Sequence, residues 1–135
     1  MSHEGGCYCG ALRYKSESDP QMRMQCHCRE CQYITGGGAN FIIGVPEAGF
    51  SYTKGQPSHF KRKDLANGVT REFCAECGTH IGTRAPGLPG TVIVKVGTLD
   101  HPEVYGKADM AIFTIDKQTF HNIPDGMAAF ARYPG

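Results

Sequence analysis

The chain has 135 residues, which suits one domain with a substantial hydrophobic core and leaves no room for a second. Fourteen Lys and Arg against thirteen Asp and Glu give a net charge of +1, which excludes a strongly basic nucleic-acid binder. No apolar run approaches the ~18 residues of a membrane-spanning helix, and the first residues lack the basic and apolar segments of a signal peptide. We therefore expect a cytoplasmic protein without a membrane partner.

Short β-rich runs separated by Gly, Pro and Asn dominate the chain, whereas long helical periodicity is scarce. In chain order the candidate strands are Ala11–Ser16, Arg23–Cys26, Ala39–Gly44, Phe50–Thr53, His59–Lys63, Thr70–Phe73, Thr79–Thr83, Thr91–Lys95 and Ala111–Ile115. A short helix is predicted at Arg29–Thr35, because three glycines follow it. Asn67-Gly68 predicts a hairpin turn, and a second turn is expected within Pro124–Phe130. The sequence thus predicts a mostly β single domain over residues 1–135, built of short antiparallel strands with one short helix.

Seven cysteines are unusually many for a chain of this length, and in a reducing compartment clustered cysteines indicate metal ligands. A structural zinc site takes four tetrahedral ligands, whereas a catalytic one keeps a position open. Two cysteine pairs would complete a closed site, and a trio within six residues would form an open one. The pairs are Cys7 with Cys9 and Cys74 with Cys77, and the trio is Cys26, Cys28 and Cys31.

Other uses of the cysteines compete with this assignment. Disulfides could consume six of them, although a C-x-C ring is strained. Both zinc sites could be structural if His3, His27 or His80 completed the second one. An iron–sulfur cluster is disfavoured, because three cysteines leave it one ligand short.

Five segments of the sequence resemble the signatures of one family, the glutathione-dependent formaldehyde-activating enzymes, which also includes centromere protein V. They are Gly5–Tyr14 (GGCYCGALRY), Cys26–Gly36 (CHCRECQYITG), Phe73–Thr79 (FCAECGT), Val96–Asp100 (VGTLD) and Asp125–Phe130 (DGMAAF). The family's late tryptophans have no counterpart, since the chain has no Trp, and Phe113 and Phe120 are the candidates for those positions.

The resemblance implies a β-tent fold with two zinc ions per chain. The structural ion would be held by Cys7, Cys9, Cys74 and Cys77, and the catalytic ion by Cys26, Cys28 and Cys31. The implied activity is that of S-(hydroxymethyl)glutathione synthase, a carbon–sulfur lyase that combines glutathione with formaldehyde. We expect a small thiol, with glutathione as the candidate, to be the partner of the three-cysteine site.

Two further features bear on function. His27 lies between two of the predicted ligands and is the candidate catalytic residue, as a proton shuttle, with a supporting or surface role as the alternative. Lys61, Arg62 and Lys63, with Arg71 across the predicted hairpin, form the basic cluster of the chain. That cluster favours an alternative function, a zinc-stabilised module that binds protein or nucleic acid without catalysis, although the near-neutral charge makes nucleic acid an improbable partner.

Overall fold

The computed structural model describes residues 1–134, and these fold as a mostly β protein. No helix among them is long and apolar enough to cross a membrane. The elements in chain order are β1 (His3–Gly6), β2 (Arg13–Ser16), β3 (Met22–Cys26), α1 (Arg29–Thr35), β4 (Asn40–Pro46), β5 (Phe50–Lys54), β6 (Ser58–Phe60), β7 (Thr70–Phe73), β8 (His80–Arg84), β9 (Thr91–Lys95), β10 (Met110–Ile112) and β11 (Ala128–Ala129).

The strands form two sheets. The larger sheet has eight strands in the order β11-β10-β3-β4-β9-β8-β7-β6, and the smaller has three in the order β1-β2-β5. The predicted antiparallel pairing holds through most of both sheets, while β10 pairs in parallel with both β3 and β11 at one edge. β10 therefore extends the larger sheet beside β3, the strand that ends at Cys26.

The main hydrophobic core lies between the two sheets. Tyr14 of β2 is 1% exposed and packs with buried valines of β4 and β9. Gly5 of β1 fits closely against this core, since an added Cβ would lie 2.2 Å from the Thr98 carbonyl oxygen and 2.4 Å from the Tyr14 hydroxyl. A side chain at position 5 would therefore push the smaller sheet away from the residues that cover it.

A second, smaller core covers the opposite face of the larger sheet. Adjacent residues of a strand point to opposite faces, and Ile43 accordingly joins the main core while Ile42 joins the second. Met24, Cys26, Cys31 and Ile112 complete the buried part of this second core. Three of the seven cysteines thus lie on the face that the smaller sheet leaves uncovered.

The predicted helix is confirmed with its bounds. The side chain of Cys28 caps α1 by accepting the Cys31 backbone N–H at 3.3 Å. Gly36 ends the helix with φ 82°, a left-handed conformation that glycine adopts without strain. The sequence therefore places two of the three clustered cysteines within the first turn of a helix.

Several local predictions need correction. β10 ends at Ile112 because Phe113 adopts φ 54°, and a short 3₁₀ helix at Thr114–Asp116 replaces the predicted end of the strand. The predicted hairpin forms between β6 and β7, but residues 61–69 connect it instead of a tight turn at Asn67-Gly68. The turn expected within Pro124–Phe130 is present at Asp125-Gly126, where the Met127 N–H donates to the Pro124 carbonyl at 3.2 Å, and β11 follows it. β1 was missed because its sequence, HEGG, has no β-branched or aromatic residue.

Candidate metal centres

Four cysteines from distant parts of the chain meet in one cluster. Cys7 and Cys9 lie in the connection between β1 and β2, and Cys74 and Cys77 in the connection between β7 and β8. Their four sulfur atoms lie within 4.8 Å of one another. The Sγ atoms of Cys7 and Cys9 are 3.7 Å apart, and those of Cys9 and Cys74 are 3.8 Å apart. With Zn–S bonds of about 2.3 Å, tetrahedral geometry requires sulfur separations of about 3.8 Å.

The two connections have similar turns that point their sulfur atoms at the same place. Gly10 and Gly78 follow the second cysteine of each pair, with φ 82° and 78°, which only glycine adopts readily. Backbone N–H groups are directed at the sulfur atoms, from Leu12 to Cys7 at 3.2 Å and from Glu76 to Cys74 at 3.4 Å. N–H donors stabilise a sulfur atom in its thiolate form, which is the form that binds zinc.

The chemistry of Cys77 agrees with a thiolate site. The Thr79 hydroxyl lies 3.1 Å from the Cys77 sulfur, and with backbone N–H groups it lowers the pKa of this thiol to about 5. The described cysteines are all free of disulfides. The four-cysteine cluster therefore fits a structural zinc ion in both separation and donor type.

The remaining three cysteines form a separate cluster on the second core. Cys26 ends β3, Cys28 caps α1 and Cys31 lies in the first turn of the helix. Their sulfur atoms also lie within 4.8 Å of one another. Cys26 and Cys31 are buried and Cys28 is half-buried, so the cluster is approached from the side of Cys28.

Polar side chains of neighbouring strands border the three-cysteine cluster. Asn40 of β4 donates its Nδ2–H to the Cys31 sulfur at 3.4 Å, and Lys95 of β9 donates to Asn40 Oδ1 at 3.0 Å. The pKa of the Cys31 thiol is lowered by hydrogen bonds from Cys26 and Cys28, and further by Asn40 and Lys95. Burial lowers the pKa of Lys95 to about 8.

The structure separates Arg71 from the predicted basic cluster. Residues 61–63 are exposed in the connection after β6, and Arg62 pairs with Asp64. Arg71 is buried on β7 and pairs with Glu30 of α1 at 3.1 Å, beside the three-cysteine cluster. The prediction that Arg71 belongs to the basic cluster is wrong, because Arg71 is buried and pairs with Glu30 of α1 instead.

Aromatic residues of the last third of the chain border the cluster on another side. Phe113 packs on the second core beside Cys28, and its ring lies 4.8 Å from that of Tyr133. Burial raises the pKa of Tyr133, and the charges of Cys26 and Cys28 raise it further. Phe120, the other candidate for a tryptophan position, is 72% exposed and lies outside both cores.

His27 is fully buried and both of its ring nitrogens are engaged. Gln25 Nε2 donates to Asn122 O at 3.1 Å and to His27 Nε2 at 3.0 Å, so that Nε2 is the acceptor and Nδ1 carries the proton. His27 Nδ1 then donates to His121 Nδ1 at 3.0 Å, and His121 Nε2 donates to Gly37 O at 2.7 Å. These bonds hold the ring on the side of Gln25, which points away from the face that carries Cys26.

Three residues around the centres were not singled out from the sequence. His121 had no partner pattern, and its contact with His27 joins positions 94 apart. Asn40 and Lys95 lie in candidate strands and were counted only as strand residues. A signal for Lys95 was present, because alternation along β9 places it on the face opposite to the buried Val92 and Val94.

Comparisons with known proteins find a relative in sequence and a similar fold. A protein of Halomonas elongata, named provisionally as a glutathione-dependent formaldehyde-activating enzyme, is 29% identical over 97 residues, which are 68% of this chain and 62% of that protein. The match thus spans less than two thirds of the relative. A crystal structure of a Rhodobacter sphaeroides protein shares the fold, with a TM-score of 0.61 at 14% identity, covering 94% of this chain and 98% of that one.

A family model matches most of the chain. The model of the glutathione-dependent formaldehyde-activating enzymes matches residues 2–116, which include all seven cysteines. The segment after Asp116, which carries His121 and Tyr133, lies beyond the match. With both cysteine clusters assembled in the fold, the chain belongs to the family of glutathione-dependent formaldehyde-activating enzymes.

Proposed function

We propose that this protein is a zinc-dependent enzyme of the carbon–sulfur lyase type that combines a small thiol with an aldehyde. Glutathione and formaldehyde are the pair that the family name indicates. Two zinc ions per chain are proposed, a structural ion on Cys7, Cys9, Cys74 and Cys77 and a catalytic ion on Cys26, Cys28 and Cys31.

The observation that carries the proposal is the incomplete ligand set of the second cluster. No fourth His, Cys, Asp or Glu of residues 1–134 belongs to it. His27, the nearest histidine in sequence, is held by Gln25 and His121 on the other side of β3. A zinc ion with three protein ligands keeps a coordination position for substrate, whereas a structural ion has no use for one.

The cysteines and the aromatic residues of the site would have different roles in the reaction. The three cysteines hold the ion, which when bound supplies a positive charge that stabilises a substrate sulfur as thiolate at neutral pH. Phe113, which packs with Cys28 on the second core, and Tyr133, whose ring lies against Phe113, would border the substrate at the accessible ligand.

The proposed reaction is an addition without any change of oxidation state. The thiol sulfur attacks the carbonyl carbon, so that a C–S bond forms while the C=O π bond breaks. The proton of the thiol ends on the aldehyde oxygen, and the product is the S-hydroxymethyl adduct. The reverse reaction breaks the same C–S bond.

A proton-transfer role for His27 stays a prediction. The hydrogen bonds of its ring run to Gln25 and His121, and His121 donates in turn to the Gly37 carbonyl, so His121 is the group that could exchange a proton with His27. His27→Gln and His121→Gln variants test the role. A shuttle that accepts the thiol proton must start as neutral histidine, so both variants should lose turnover and also lose the acidic limb of the pH–rate profile. An unchanged profile shape with lowered turnover would assign the pair to positioning instead.

The experiment for the function measures exchange between glutathione, ¹³C-formaldehyde and their adduct by NMR, against the spontaneous rate. Protein loaded with two zinc ions is expected to accelerate the exchange, and Cys28→Ser to abolish the acceleration. Serine can retain the helix cap that Cys28 provides, so the variant is expected to fold. Lys61→Met serves as the matched control, because Lys61 is exposed. Exchange at the spontaneous rate in zinc-loaded wild-type protein would refute the proposal for this substrate pair.

The alternative of a binding module has limited support. Two members of the predicted basic cluster have acidic partners, since Arg62 pairs with Asp64 and Arg71 pairs with Glu30. Lys61 and Lys63 are the members that remain to bind an anionic partner. A module of this kind predicts nucleic-acid binding that weakens steeply with salt. Binding that is undetectable at physiological salt would exclude nucleic acid as its partner.

A further inference from the structure

Lys95 carries a positive charge that no carboxylate of residues 1–134 neutralises. Its side chain is partly buried on β9, and its described hydrogen bond is to the neutral oxygen Oδ1 of Asn40. No carboxylate of residues 1–134 forms an ion pair with it, in contrast to the neighbouring Arg71, which pairs with Glu30. An ammonium group removed from water without a counter-ion is costly, so a negative charge is expected nearby.

The register of the larger sheet places Lys95 beside the three-cysteine cluster. Ile42 of β4 pairs with Lys95, and Asn40 of the same strand pairs with Cys26. Asn40 and Ile42 are two positions apart and share a face. Lys95, Asn40 and Cys26 therefore share one face of three neighbouring strands on the second core, with Cys26 directly beside Asn40 and Lys95 diagonal to it.

The orientation of Asn40 follows from its two neighbours. Lysine has only hydrogen-bond donors, so the oxygen of the Asn40 amide must face Lys95 and its nitrogen must face Cys31. Asn40 is 4% exposed, which leaves water little access to either contact. Through the Asn40 amide, the positive charge of Lys95 therefore stabilises negative charge on the Cys31 sulfur.

The charges around the cluster show what Lys95 balances. Three thiolates and a zinc ion sum to −1, and a fourth ligand that is itself a thiolate brings the sum to −2. Glu30 and Arg71 neutralise each other at 3.1 Å. Lys95, which has no carboxylate partner among residues 1–134, reduces the sum from −2 to −1 when the fourth ligand is a thiolate, and its attraction acts on an anionic ligand but not on a neutral one.

We propose that Lys95, acting through Asn40, is the positioning residue that allows the three-cysteine centre to accept an anionic sulfur ligand in preference to a neutral one. This inference rests on the zinc site of the proposed function and adds to it the charge of the substrate atom. Lys95 does not contact the substrate in this arrangement.

The test measures ligand binding to protein reconstituted with Co²⁺, whose sulfur-to-metal charge-transfer absorption reports on the sulfur ligands. The probes are 2-mercaptoethanol, which binds as thiolate, and imidazole, which binds neutral. Lys95→Met removes the charge with little loss of volume, Lys95→Arg keeps it, and Lys61→Met is the surface control. Far-ultraviolet circular dichroism and metal content confirm that each variant folds and binds metal.

Lys95→Met is expected to weaken 2-mercaptoethanol binding by about tenfold or more, since the lost attraction acts across a partly buried site. Imidazole binding should change less than about twofold, and Lys95→Arg should restore part of the thiolate affinity. Equal effects on both probes, or none on the thiolate, would overturn the inference. Thiolate binding that depends on Lys95 without any catalysed exchange would refute the proposed function alone.

Discussion

The four-cysteine cluster connects the two sheets, and its removal is expected to be the most costly local change to stability. The double variant Cys9→Ser and Cys77→Ser leaves only two thiols at the site, too few to hold zinc. Cys9 is exposed and Cys77 half-buried, whereas Cys7 and Cys74 are buried and are retained. The variant therefore removes the metal cross-link with little loss of packing.

The magnitude follows from the separation of the connected segments. Cys9 and Cys74 are 65 positions apart in the chain. If the metal cross-link is treated like a disulfide of that span, it lowers the entropy of the unfolded chain and so raises the free energy of unfolding by about 4 kcal/mol. Domains of this size have unfolding free energies of about 5–15 kcal/mol, so the loss is a large fraction of the total.

Urea unfolding of the zinc-loaded proteins, followed by circular dichroism, measures the effect. Cys28→Ser is the matched control, because it also leaves two thiols at its site, and serine suits the helix cap. The three-cysteine cluster spans only five positions, from Cys26 to Cys31. The same entropy relation gives a metal cross-link of that span about half the stabilisation of the four-cysteine cluster. Equal losses in the two variants, or an unchanged unfolding free energy in the double variant after loss of its zinc, would refute the cross-link argument.

Three further outcomes are expected from single substitutions, each followed by urea unfolding. Tyr14→Phe removes a buried hydroxyl that donates to Thr98 at 2.8 Å, and should lower the unfolding free energy by about 1 kcal/mol, with no loss indicating a dispensable bond. Gly5→Ala should cost at least about 2 kcal/mol, because its Cβ would overlap the Thr98 carbonyl, and a neutral effect would show that β1 can shift. Burial lowers the pKa of His27, so the unfolded chain binds more protons below pH ~6.5 and stability falls as pH drops through that range. His27→Gln should flatten this slope, whereas His101→Gln, at an exposed position, should leave it unchanged.

Local chemistry explains why so much of the site could be predicted from the sequence. Cys26, Cys28 and Cys31 lie within six residues, and Cys28 is also the capping residue of α1, so their convergence depends on one turn. The pairs around Gly10 and Gly78 form similar turns for the same local reason. The two cysteine pairs could be assigned to one shared site by elimination, because the three clustered cysteines already formed a site of their own.

Long-range packing decided the rest. The neighbours of Lys95 depend on the register between β4 and β9, and those of Arg71 on the position of α1 above β7, neither of which a local pattern contains. The sequence left His27 with either a proton-shuttle or a supporting role, and the partner that holds its ring, His121, lies 94 positions away. The sequence by itself determined which residues can bind metal, because ligand spacing is a local property. Only the tertiary structure decided which charges and hydrogen bonds surround them, because these come from strands that are distant in the chain.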